Sequence, residues 1–318
     1  MTNKIQTTGS GNVTLIGNAA DQGDGVSFYS SGNALVSVEN GALSVTGSSV
    51  YGDGVSILTG ANALRATGSG SVSVTGTSTN AGGITIYPST NASSTIISTN
   101  TGTLTLDGTS GSASSSAGVT IRSPSSGAAA GVNISSNSGA IVLNGTAKGS
   151  GDGIAFVGSS TNGFNTVSTG GSAGMTLNAG SNGAAGLRFS GGTNSLKVVD
   201  GVLLVNVNAP NGAPILQAGD ATTFAASGSG VVIFNFGRGI SNLLTNATTA
   251  PATAALQTEQ AAGAWNRPSG NSNVFSPFNE SAQRLTIDVA TASQAGEPAA
   301  NSSSPSSNSS TQGTDNAQ

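Results

Sequence analysis

The chain has 318 residues, of which 48 are glycine, 7% are charged and 4% are aromatic. Its net charge is −4 with nine Lys and Arg in all, so no basic patch can neutralise phosphates and no nucleic-acid partner is expected. It has no Cys and no His, which excludes disulfides, thiol nucleophiles, imidazole bases and the usual zinc ligands.

The first residues, MTNKIQTTGSGNVTLIG, contain one Lys and no apolar h-region, so they do not read as a signal peptide. No window of about 18 apolar residues follows, and no membrane insertion is expected. Repeat-like sequence begins almost at Met1, so a continuation of the same long polypeptide upstream is expected.

From residue 13 onward short apolar-x-apolar strands recur in three classes. The first inward residues of one class are Val13, Leu43, Val72, Leu104, Ile141, Met175, Leu203 and Val232. A second class follows a loop containing Gly-Asp-Gly or a relative: Val26, Val55, Ile84, Val119, Ile154, Leu187 and Ile215. The third contains Leu35, Leu64, Ile96, Val132, Val167, Leu196 and Phe224. The classes cycle in strict order. Steps from first to second take 12–15 residues and steps from third to first take 7–9, while the corner between second and third varies from 9 to 13. Length variation confined to one corner is the mark of a coil with one tolerant loop.

Three strands per turn, each pairing with its counterpart one coil on, make an all-β, right-handed parallel β-helix of about seven coils of about 30 residues. Side chains alternate between inside and outside. In the second class Phe28, Ile57, Phe156 and Phe189 belong to an inward column, and Ser27, Ser56, Thr85, Thr120, Ala155 and Arg188 to an outward, wet one. Asn33, Asn62, Asn165 and Asn194 recur two residues before third-class positions. They read as structural corners, because Asn tolerates left-handed φ and its amide can bond the next coil's.

The repeat domain spans 1–236, ending in the apolar run VVIFNF. Residues 237–265 read as a short helical or irregular cap over the open coil end, with Pro251 opening a helix that ends near Gly263. Residues 266–290 read as an irregular segment with one strand in RLTIDVA, and 291–318 as a disordered tail of Ser, Asn, Pro and Gln.

The candidate metal ligands are Asp24, Asp53 and Asp152, which share one coil position. Stacked carboxylates suit Ca²⁺. The intervening coils have Gly82 and Ala117 there, however, and Asp-Gly is itself a leading turn dipeptide. The turn reading is preferred, and no metal or other cofactor is expected. Glycan cleavage needs clustered acids on one face, and no acid pair accompanies Arg122 or Arg188 in the register. No catalytic residue is assigned and the chain is not expected to be an enzyme. GSGDG at 149–153 lacks the Lys-Ser/Thr of a phosphate loop. The hydroxyl column Thr14, Ser44, Ser73 and Thr105 lacks the paired Thr rows that ice binding would favour.

The phrases GNVTLIG, GALSVTGSSVYGDGVSI and GSVSVTGTSTNAGGITI resemble the repeats of large bacterial exoproteins of the filamentous haemagglutinin type, secreted by the two-partner route. The resemblance covers about residues 9–236. It implies a secreted, rod-shaped protein at a Gram-negative cell surface, used for adhesion to host- or neighbour-cell glycans or surface proteins. The chain shows neither an N-terminal secretion domain nor a toxin-like C-terminal one. The alternative is a carbohydrate-active β-helix enzyme, a lyase or hydrolase using outward Asp and Arg residues.

Overall fold

The structure, a computed structural model, describes residues 2–29, 33–58, 62–88, 94–124, 130–158, 163–218, 222–236, 240–246, 265–266, 274–277 and 285–289. Among them all regular structure is β-strand. Three parallel sheets stack about seven turns of about 31 residues into a β-solenoid.

The first sheet is built from Val13–Ala19, Leu43–Ser49, Val72–Ser78, Leu104–Ser110, Ile141–Ala147, Met175–Ser181, Val202–Asn208 and Val231–Phe236. The second contains Val26–Tyr29, Val55–Leu58, Ile84–Tyr87, Val119–Arg122, Ile154–Val157, Leu187–Ser190 and Ile215–Ala218. The third starts with Thr2–Gln6 and runs through Asn33–Val38, Ala63–Ala66, Thr95–Thr99, Gly131–Ser136, Phe164–Thr169, Thr193–Val198 and Thr222–Ala226. Each coil's strands pair in parallel with their counterparts in the coils before and after. The Leu43 N–H, for example, donates to the Ser71 carbonyl at 2.9 Å. Backbone pairing along the axis satisfies the polar groups that a chain so poor in bulky side chains could not otherwise bury.

The first-class column stands in unbroken register from Val13 to Val232. The second-class column does the same from Val26 to Ile215. The third differs from the sequence reading. Its inward column is Val36, Leu64, Ile97, Ile134, Val167, Leu196 and Phe224. Leu35 and Ile96 are half-buried, whereas their neighbours Val36 and Ile97 are 4% and 0% exposed. Val132 is inward too, but it stands one step of alternation before Ile134. Apolar doublets such as Leu35-Val36 and Ile96-Ile97 leave the face undecided in sequence, and a slip of one residue exchanges inside for outside.

The core is a narrow column of Val, Leu and Ile, each contributing about 1.5–3 kcal/mol when fully buried. Towards the last coils it becomes aromatic. Phe156 and Phe189 stack at 5.1 Å and 13°. Phe189 meets Phe224 edge-on at 5.5 Å, and Phe224 meets Phe234 edge-on at 5.0 Å. This run of rings ties the three sheets together, with about 0.5–1.5 kcal/mol per pair beyond area burial. Phe28 and Ile57 head the same second-sheet column, Phe28 only partly buried against the core.

The fifth position of the first-sheet strands shows why so much glycine is needed. A Cβ on Gly47 would lie 2.0 Å from the Gly54 carbonyl oxygen, and one on Gly76 would lie 2.1 Å from that of Gly83. In these coils the second sheet's entering loop passes against this position and leaves no room for a side chain, whereas in the later coils Ala179 and Val207 take the same place.

Of the segment 237–265, where a helical or irregular cap is expected, the structure describes 240–246 and 265. Ile240–Asn246 is a strand that turns back antiparallel to Val231–Phe236, with a register shift between Phe234 and Phe236. Leu285–Val289 adds to the third sheet, parallel to Thr222–Ala226. The helix expected after Pro251 and the tail 291–318 lie outside the described residues.

Candidate functional site

The Gly-Asp-Gly corners precede the second sheet. The Asp53 N–H donates to Asp24 Oδ1 at 2.9 Å, so these two aspartates sit one coil apart. The Gly82 N–H donates to Asp53 Oδ1 at 2.8 Å, and the Ala185 N–H to Asp152 Oδ1 at 3.1 Å. Each carboxylate therefore caps a backbone donor of the following coil. Asp152 stands three coils beyond Asp53, with Gly82 and Ala117 between them in the corner. Among the described residues no three or more acidic groups gather as a metal-ligating set. Asp53 is held above its usual pKa of 3.8, chiefly by burial and further by the charge of Asp24. Hydrogen bonds from Thr85, the Gly82 backbone and Ser56 oppose that rise.

A second device at this corner escaped the sequence reading. Ser49 Oγ donates to the Gly23 carbonyl at 2.7 Å and accepts from the Gly52 N–H at 2.9 Å. Ser78 and Ser181 do the same, each donating to a carbonyl of the preceding coil's corner, Gly52 and Gly151, and accepting from an N–H of its own, Ala81 and Ala184. The available signal was a Ser six residues after the first-class inward position, recurring at 49, 78, 110 and 181.

The asparagines divide. Asn165 and Asn194 face each other in the third sheet, fully buried, and Asn165 Nδ2 donates to Asn194 Oδ1 at 2.9 Å. Asn62 is buried and donates to the Leu58 carbonyl at 3.2 Å. Asn33 falls out of that column, because Leu35 pairs with Ala63 and so brings Ala34, not Asn33, level with Asn62. Asn33 pairs instead with Thr2.

The second sheet's outward side is not evenly wet. Ser56 and Ala155 are buried there, while Thr85, Thr120 and Arg188 are half-buried. Arg188 Nη1 reaches Asp152 Oδ2 at 3.4 Å, an acid that strand register alone does not set beside it. Arg122 lies over the Tyr87 ring at 4.6 Å.

The first sheet's outward side carries two regular arrays. In the early coils the rows Ser44-Thr46-Ser48 and Ser73-Thr75-Thr77 stack in register and are followed by Thr105-Asp107-Thr109. In the later coils the middle position becomes Asn144, Asn178, Asn206 and Asn235. Asn178 Nδ2 donates to Asn144 Oδ1, and Asn206 Nδ2 to Asn178 Oδ1, both at 2.8 Å. Beside this amide ladder lies an open groove of about 410 Å³. A second groove, of about 480 Å³, runs along the third sheet past Ser135, Ser168 and Lys197.

The fold and these arrays define a parallel β-solenoid with hydroxyl and amide side chains, and the carboxylate of Asp107 among them, in register on an outer face. Comparison with family models, curated proteins and solved structures finds no match for this chain.

Proposed function

We propose that the chain is a structural and adhesive rod segment of a secreted bacterial surface exoprotein, non-catalytic, presenting its polar outer faces for contact with cell-surface glycans or proteins. One observation carries this reading: the first sheet's outer face holds hydrogen-bonding groups, neutral except for Asp107 among these columns, in register across successive coils. Such a surface offers many weak, repeated contacts, and repetition along a rigid axis adds them up. Export and a Gram-negative surface location rest on the likeness of the repeats to haemagglutinin-type exoproteins. Fold by itself does not fix function.

The enzymatic alternative has the Asp152–Arg188 pair in its favour, a largely buried corner carboxylate beside a half-exposed guanidinium of the second sheet. Incubation with a panel of polysaccharides separates the readings. The rod reading expects no release of reducing ends or unsaturated products above buffer. Release by the intact chain that is abolished in Asp152→Asn would replace it with the enzymatic one.

A further inference from the structure

The outer face of the first sheet has one vacancy. Its last outward column runs Ser48, Thr77, Thr109, Thr146, Gly180 and Asn208, all in register. Only Gly180 lacks a side chain. The backbone does not demand this. A Cβ at Gly180 would meet nothing closer than 3.9 Å, whereas one at Gly145, in the strand before, would strike the Gly153 carbonyl at 2.2 Å. A glycine inside a strand also weakens it. The gap thus costs stability without serving the coil.

What the gap does is open the groove of about 410 Å³ between Thr146 and Asn208, a volume within the range of small-ligand sites. Its polar walls are Thr146, Asn178, Asn206, Asn208 and Asn235. Among the described residues no ionisable side chain lines it. Each amide has two N–H donors and an oxygen with two lone pairs. Asn178 spends one donor and one acceptor on the ladder, which leaves a donor and an acceptor side by side for an incoming group. Vicinal hydroxyls, which both donate and accept, match that alternation. A charged ligand would find no counter-ion.

We propose that this groove is a binding subsite for a neutral sugar residue of a glycan, with the amides of Asn178, Asn206 and Asn208 bonding its hydroxyls and Gly180 leaving room for its ring. The assignment rests on the reading of the chain as an adhesive rod and names one site on it.

The test uses the full chain and its Gly180→Thr variant. Threonine continues the hydroxyl column and suits a strand, so the variant keeps or raises its melting temperature. Binding is measured to immobilised neutral oligosaccharides of glucose, galactose, mannose and N-acetylglucosamine, with a sulfated glycosaminoglycan and intact cells alongside. The expected result is retention on at least one neutral glycan, weakened at least about tenfold by Gly180→Thr, because the new side chain occupies the sugar's place. Equal binding by the folded variant overturns the groove as the site while leaving the adhesive reading intact. Retention only on the sulfated glycan, or on cells through protein alone, overturns it in the same way. No retention on any glycan or cell overturns both.

Discussion

Asp53 is a carboxylate whose surroundings oppose its charge. Burial raises its pKa above 3.8, with the Asp24 charge adding and three hydrogen bonds resisting. The folded chain therefore keeps this proton to higher pH than the unfolded chain. The resulting penalty is present above the raised pKa and is relieved as pH falls through it. Asp53→Asn keeps an oxygen for the Gly82 N–H and removes the charge. Its melting temperature is expected to exceed the parent's at pH 7, with the difference shrinking as pH is lowered toward 4. A gap that widens on acidification would contradict this. At this scale the sequence made the Gly-Asp-Gly turn legible, since the residue types carry their own turn chemistry. The serine staples and the asparagine ladder were not legible from single residues. Ser and Asn are common throughout this chain, and their roles exist only between coils some 30 residues apart.

At the scale of strands, the first two sheets could be aligned from sequence because their apolar residues alternate cleanly with small or polar ones. The third could not be aligned throughout. Leu35-Val36 and Ile96-Ile97 offer two apolar neighbours for one inward place, and only pairing with Leu64 decides between them. The structure makes a sharp contrast. Ile97→Ala empties a fully buried site and is expected to cost about 2–5 kcal/mol. Ile96→Ala, on the other side of the same strand, is expected to cost about 1 kcal/mol or less. Chemical denaturation of the two variants checks the register, and a larger loss at Ile96 would reverse the strand's faces. The end of the repeat was less legible. ISNLLTN shows no strict alternation that would mark Ile240–Asn246 as a strand, and its place is set by the open edge of Val231–Phe236.

The whole molecule is a short rod, roughly 35 Å over its seven turns at the spacing of paired strands. Its architecture was readable because one motif is written many times, so that errors in one coil are corrected by the next. Its function is written more faintly, in outward residues that packing does not constrain. The central claim is that these outward faces bind and do not cut. Beads coated with the purified chain, applied to intact bacterial and host cells under washing, test it most directly. The account predicts retention of the beads, competed by soluble cell-surface glycan or protein, with the surface polymer left at its original length. Beads that wash off every cell type, or that shorten the polymer they touch, would contradict it.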